Sequence, residues 1–258
     1  MNIAVSGIPF AQHPVVSREQ WLAERRSLLQ REKQMSRLRD ELARERRALP
    51  WVRVTQDYVF DTPEGRRTLA ELFEGRRQLV VQHFMLAPGA EQGCTGCSFM
   101  ADHIDGALPH LQQRDITLLA VSRAPLAEIE HFRARMGWRF RWVSSQGSAF
   151  NYDFGVSFTP EARAGGEARY NYGSEDFQGA DAPGISVFCK DDAGQVFHTY
   201  STYGRGVELM MGTYELIDIT PRGRDEAALP YPMAWVKHHD RYALQEPAKA
   251  AGCCHDKA

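Results

Sequence analysis

Apolar residues along this chain follow two periods in turn, and that alternation predicts a long helix followed by an α/β domain. Between Trp21 and Arg47 there is neither Gly nor Pro, and Trp21, Leu28, Met35, Leu42 and Leu49 recur every seven residues, with Leu22, Leu29 and Leu38 widening the stripe. Ser17 and Gln20, just after Pro14, supply a capping box at its start. The stripe can serve as a clasp over its own domain or as the contact of a homodimer through residues 17–48, because a partner helix wants seven-residue spacing. An Arg-rich face meeting nucleic acid is a third use, but a charged helix face is ordinarily just solvated.

Beyond Leu49-Pro50 the period shortens. Val52 to Phe60 alternates as a strand does and ends at a turn, Asp61-Thr62-Pro63-Glu64-Gly65. A short helix over Thr68 to Phe73 leads to the apolar run Leu79 to Met85, a buried strand. A helix from Cys97 to Gln113, kinked at Pro109, precedes a second apolar strand, Asp115 to Val121. The next helix, Pro125 to Met136, has Pro at its start, Leu126, Ile129, Phe132 and Met136 on one face and Gly137 to stop it. Trp138 to Val143 reads as extended and Ala149 to Val156 as a helical turn. Ile185 to Cys189 and Gln195 to Tyr200 flank the turn Asp191-Asp192-Ala193-Gly194 as a hairpin, and Val207 to Ile219 is the last core helix. Strands alternating with helices in this way mark an α/β sheet.

Residues 157–182 show no period and read as an insertion loop of the kind that often covers a site, with Tyr170, Tyr172 and Phe177 expected in local packing. The organisation expected is an N-terminal extension over 1–50, a core domain over 51–219 and a C-terminal extension over 220–258. That last segment has no clear period and is expected to pack across the domain, while Cys253, Cys254 and His255 near its end are expected to be disordered by composition.

Composition narrows the function classes. With 258 residues, 43% of them hydrophobic, the chain can bury a full core. A net charge of −2 argues against a general nucleic-acid or acidic-membrane binder, although residues 17–49 carry ten Lys/Arg against six Asp/Glu. No run approaches a membrane span and the N-terminus has no secretory pattern, so no membrane partner and a cytoplasmic location are expected. Five Cys, an odd number with only one close pair in the body of the chain, do not look like a secreted disulfide framework. No phosphate loop, GxGxxG, GxSxG or HExxH occurs.

The candidate chemistry lies in Gly93-Cys94-Thr95-Gly96-Cys97-Ser98-Phe99. Two cysteines three apart, the first just outside a helix and the second one turn inside, can close a ring reversibly. Unpaired backbone N–H groups at the helix start favour thiolate on Cys94, and a CxxC there brings a thiol from about 8.5 towards about 7 or lower. Thiol–disulfide exchange follows: Cys94 attacks a disulfide-containing protein or small thiol substrate and Cys97 resolves the mixed disulfide. His83 is the nearest candidate to accept the Cys97 proton, though a strand His is ordinarily a hydrogen-bonded core residue. Arg123, at the C-terminal end of a parallel strand, can stabilise thiolate or form a surface ion pair. Two other readings stay open. Zinc would need ligands beyond Cys94 and Cys97, drawn from Cys189, His103, His110, His198 or the terminal Cys253, Cys254 and His255. In the other the CxxC is silent and the protein is an interaction scaffold assembled through its helix.

Taken in this order, the chain from about 51 to 219 resembles the thioredoxin-like fold in its peroxiredoxin-like branch. Four segments, Gly93 to Phe99, Val121-Ser122-Arg123-Ala124-Pro125, Phe150 to Val156 and Phe197-His198-Thr199-Tyr200-Ser201, also resemble an uncharacterised bacterial family of unknown function with that fold. The resemblance implies a three-layer α/β/α sandwich. It implies Cys94 as attacking thiolate, Cys97 as resolving thiol and Pro183 as a cis-proline facing them, with Ala182 presenting backbone to a substrate peptide. No cofactor and no metal are implied. The chain departs from thioredoxins in having Gly93 in place of the usual Trp, Thr95-Gly96 between the cysteines and a longer loop before them. A Pro and Thr ahead of a peroxidatic Cys are not evident in Pro88 to Cys94, which makes peroxidase activity the weaker variant.

Overall fold

The computed structural model describes residues 12–243, so the expectation for Cys253, Cys254 and His255 lies outside the described residues. The first helix, α1, runs Arg18–Ala48 with the expected capping box: Ser17 Oγ accepts from the Gln20 N–H and the Gln20 side chain from that of Ser17. None of its side chains is buried, and Trp21 and Met35 are 52% and 66% exposed. This corrects the clasp reading. The stripe faces water because the domain buries its core without it.

The expected strand over 52–60 divides into β1 (Val52–Arg53) and β2 (Val59–Thr62), and β2 turns into β3 (Gly65–Thr68). The helix expected over 68–73 shrinks to a 3-10 turn at Glu71–Phe73, which buries Leu72 and Phe73. Then come β4 (Gln78–His83), α2 (Thr95–Ile104), α3 (Leu108–Gln112), β5 (Ile116–Ser122), α4 (Leu126–Met136) and β6 (Arg141–Ser144). Pro109 stands in the first turn of α3, where its missing N–H is no loss, so the helix breaks before it rather than kinking at it. Gly137 closes α4 in the left-handed region at φ 67°.

A helical turn, α5 (Phe150–Asp153), leads into the segment expected to be an unstructured insertion, which instead holds α6 (Pro160–Ala164), β7 (Arg169–Tyr170) and β8 (Glu175–Asp176). Tyr170 packs on Phe177 and Tyr203, the local packing expected. The chain ends with β9 (Gly184–Lys190), β10 (Val196–Tyr203), a 3-10 turn at Gly204–Met210 and the short α7 (Gly212–Asp218).

Eight strands form one sheet in the order β1-β10-β9-β4-β5-β6-β2-β3. β4, β5 and β6 are parallel, and β9 and β10 return antiparallel beside β4. This order and these directions are the thioredoxin-like arrangement. Alternation along β4 decides what lies on each face. Leu79 and Val81 point to the thinner layer, where they meet Phe60, Leu72, Phe73 and Phe150. Val80 points the other way, into the cluster of Met100, Tyr214 and Val236, beside which Phe84, Ile129, Phe132 and Trp142 continue the core under α2 and α4. No described helix is long and apolar enough to cross a membrane.

Candidate active site

Cys94 is the N-cap of α2, and the loop that leads to it, exposed at Pro88, Gly89, Glu91 and Gln92, is closed by the Cys94 N–H on the Met85 carbonyl at 3.1 Å. Gly93 precedes it because a β-carbon there would stand 2.5 Å from the Phe84 ring and 2.9 Å from Phe132. Those two rings fill the place where a larger residue would sit. Cys97 lies one turn inside the helix and is 2% exposed, whereas Cys94 is half-buried. Both sulfurs are free thiols.

The two thiols are pushed apart in acidity. Cys94 is brought down to about 6, chiefly because the Cys97 thiol donates to it, with the backbone N–H groups of Cys97 and Gly96 adding to this against the opposing effect of burial. Cys97 is pushed up by the hydrogen bond it gives, by burial and by the negative charge of Cys94; Asp181 adds to this, and the Met85 N–H, 3.5 Å from its sulfur, opposes it. A pair so arranged holds one sulfur ionised and its neighbour protonated at neutral pH.

His83 does not join them. Its neighbour Gln82 faces α2 and donates to the Cys97 carbonyl at 3.0 Å, so the two-residue period of β4 turns His83 to the opposite face. There it packs against the tilted Phe150 ring and stacks with Phe154, and its Nε2 lies 2.7 Å from Ser186 Oγ. Burial, with a smaller contribution from His198, drives it down to about 3. The proposed proton acceptor is a neutral core histidine.

Arg123 is drawn away from the thiols as well. Its guanidinium holds Asp181 through two hydrogen bonds, of 2.7 and 3.0 Å, in a pair that is largely buried. Asp181 also accepts from Ser157 at 2.6 Å. Sequence reasoning missed this carboxylate, whose only cue is a place two residues ahead of Pro183.

Pro183 does line the space in front of Cys94 and Cys97. Its peptide bond is trans, since no cis bond occurs among the described residues, which corrects the expected cis-proline. Hydrogen bonds on both sides hold the extended trans form: the Ala182 N–H donates to Val156 O at 2.9 Å and Tyr170 Oη donates to the Pro183 carbonyl. Ala182, expected to present backbone to a substrate peptide, is 2% exposed and its N–H is already used within the chain.

The front wall comes from the C-terminal extension, which sequence reasoning placed across the domain but not over the cysteines. One carboxylate oxygen of Glu226 accepts from Tyr214 Oη at 2.9 Å, the Met233 N–H at 3.0 Å and Trp235 Nε1 at 2.7 Å. Farther on, His238 Nε2 lies 2.9 Å from the Gly93 carbonyl, and Asp240 pairs with Arg135 of α4. The result is a cavity of about 670 Å³ that opens on Cys94 between Pro183, Met100, Val207, Met211 and Met233.

The possible zinc ligands are scattered. His103 lies 2.6 Å from the Phe99 carbonyl and from Thr213 Oγ1, His198 is on the far face and Cys189 sits at the end of β9. Among the described residues no three His, Cys, Asp or Glu side chains are grouped as a metal site.

A family model described as a bacterial protein of unknown function (DUF899) matches residues 10–242. Among solved structures, a peroxiredoxin Q mutant from Xanthomonas campestris is 13% identical over 65% of this chain and 98% of its own, with a TM-score of 0.44. The peroxidoxin BcpB of Mycobacterium tuberculosis is 15% identical over 66% and 97%, at 0.42. A PrxQ mutant from Xylella fastidiosa is 14% identical over 64% and 94%, at 0.40. No curated protein matches the chain.

Proposed function

We propose that this chain, which belongs to the bacterial family of unknown function DUF899, is a thiol–disulfide oxidoreductase working through Cys94 and Cys97. The observation that carries the reading is the division of labour between the sulfurs. Cys94 sits at the mouth of α2, ionised near neutral pH and facing a cavity, while Cys97 is sealed behind it and keeps its proton. That is what an attacking thiolate and a resolving thiol require. Titration with dithiothreitol, followed by thiol trapping and mass spectrometry, tests it: Cys94 and Cys97 are expected to interconvert between dithiol and disulfide as one two-electron couple. Failure of the two to link at any potential overturns the reading.

We also propose that α1 pairs with α1 of a second copy of this chain. A 31-residue helix that buries no side chain of its own draws little support from tertiary packing, with Arg46 over the Tyr200 ring a contact of its last turn. The seven-residue recurrence from Trp21 to Leu42 that faces water is the pattern an identical helix matches.

A further inference from the structure

The walls of the cavity in front of Cys94 bear on what the thiolate can meet. Three features limit its occupant. The first is the backbone next to Pro183, where an extended substrate peptide would need free hydrogen-bonding groups. Residues 156–158 already pair with 180–182: Phe158 N–H donates to Ala180 O and Ala182 N–H to Val156 O, both at 2.9 Å, while Tyr170 takes the Pro183 carbonyl. A protein chain laid there has no edge to join.

The second is the strap that includes Met233. Its Glu226 accepts from Tyr214 of α7 and, within the strap, from Met233 and Trp235, and His238, Asp240 and His239 tie it to Gly93, Arg135 and Asp102. Met233 itself takes φ +69°, a conformation a side-chain-bearing residue seldom adopts without being held. Its methyl group lies over Gly96, beside the sulfur that must be reached. What remains is a chamber of about 670 Å³, within the range of about 300–1,000 Å³ that small-molecule pockets occupy.

The third is charge. The ionic groups at the chamber's edge are paired with one another: Arg205 with Glu208, and Arg224 with both Glu208 and Asp218. One Glu226 oxygen already carries three donors. Among the described ionic groups of this rim only the Glu226 carboxylate lacks an opposite partner, so no free cation is left to hold an anionic substrate, and the lining otherwise includes methionine, valine and proline, which suit an apolar body.

We propose that the disulfide reduced at Cys94 belongs to a small, uncharged, apolar-bodied molecule that enters this chamber, and not to a protein chain. The proposal rests on the thiol–disulfide reading above. Cys94 thiolate attacks one sulfur of R–S–S–R, forming a mixed disulfide and expelling RS⁻, which takes the Cys97 proton. Cys97 then attacks Cys94 Sγ, the mixed disulfide breaks and a second RS⁻ leaves. One protein thiolate and one thiol become a disulfide, the substrate disulfide becomes one thiol and one thiolate, and two electrons pass from protein to substrate.

Diethyl disulfide, the dianionic dithiodiglycolate and insulin separate the possibilities when each oxidises the fully reduced, full-length protein. The readout is the rate of Cys94–Cys97 linkage by thiol trapping, each rate divided by that of the same disulfide with free 2-mercaptoethanol. Diethyl disulfide is expected to lead both others by about tenfold or more. Val207→Trp, which fills the chamber, is expected to slow it by about tenfold or more. Insulin matching or exceeding diethyl disulfide overturns the inference and leaves the oxidoreductase reading standing. Parity with dithiodiglycolate overturns the uncharged class, and an unaffected Val207→Trp overturns the chamber as the route. If none of the three links the cysteines, the oxidoreductase reading falls and this inference with it.

Discussion

Met233 stands over Gly96: its Cε is 3.4 Å from the point a β-carbon on Gly96 would occupy, and Cys94 Sγ is 3.8 Å from that same point. The second of the two residues between the cysteines is small because a segment from the far end of the chain rests on it. Gly96→Ala fits at ordinary contact distance and gains helix propensity, so its stability is expected to be unchanged or higher by up to about 1 kcal/mol. Gly96→Val adds methyl groups that must displace Met233 or crowd the sulfur, and its Cys94 alkylation rate is expected to fall by about tenfold or more. Iodoacetamide kinetics on the two variants check this; equal rates would place Met233 away from the path to the sulfur.

The acidity of Cys94 gives a second expectation. Thiolate is the reactive form, so alkylation of Cys94 rises with pH, with its midpoint near the value of about 6 to which hydrogen bonds bring it down. In Cys97→Ser the strongest of those hydrogen bonds is altered while the backbone donors remain, and the midpoint is expected to move upward. A pH-rate profile with a midpoint near the free-cysteine value of about 8.5 in the parent protein would contradict the site's electrostatics.

What the sequence made legible is the part governed by local periods. The capping box at Ser17, the Gly137 stop and the apolar runs that became β4 and β5 follow from rules within one turn or one strand. The strand run also fixed which strands would be central, and so put Cys94 at the start of a helix on the sheet. The misassigned roles depended on facing. His83 and Gln82 differ by one position, and whether the run begins on the helix side or the far side is set by tertiary packing of Leu79 and Val81. Arg123 was found but not its partner, since Asp181 is 58 residues away and no short-range pattern links them. The strap was hardest to read, because Glu226, Met233 and His238 are held by individual hydrogen bonds, three of them on Glu226, rather than by any repeat.

The Arg123–Asp181 pair is largely buried, with Asp181 also holding Ser157. Asp181→Asn leaves the guanidinium uncompensated and is expected to destabilise the fold by about 3 kcal/mol. It also removes a charge that raises the Cys97 thiol, so Cys97 should titrate lower. Adding Arg123→Gln is expected to recover part of the stability, because the orphaned charge is gone. Urea unfolding of the two single variants and the double variant measures the coupling, and simple additivity would show that the pair does not act as a unit.

His83 makes the protein sensitive to acid. Its native value of about 3 lies below the ordinary 6.5, so the unfolded chain binds this proton first as pH falls. Stability is therefore intact above about pH 6.5 and declines towards pH 3 by up to about 1.4 kcal/mol per pH unit. His198, also pushed down by burial, adds to the same slope. His83→Gln is expected to flatten the dependence between pH 7 and 5 while lowering stability at pH 7 through the altered contact with Ser186. Denaturant midpoints at the two pH values give the slope, and an unchanged slope in the variant would assign the acid sensitivity elsewhere.

The exposed stripe of α1 predicts the state of assembly. Leu28 and Leu42 are 49% and 41% exposed in the single chain and lie two heptads apart on the same line as Trp21 and Met35. If a second α1 covers that line, sedimentation equilibrium reports a dimer. The double variant Leu28→Asp, Leu42→Asp then puts two carboxylates into an apolar seam, and self-association is expected to weaken by about a hundredfold or more. The Cys94 alkylation rate should not change with it, because α1 contributes no residue to the cavity at the cysteines. A parent protein that sediments as a monomer at all concentrations tested would leave the stripe solvated and overturn the pairing.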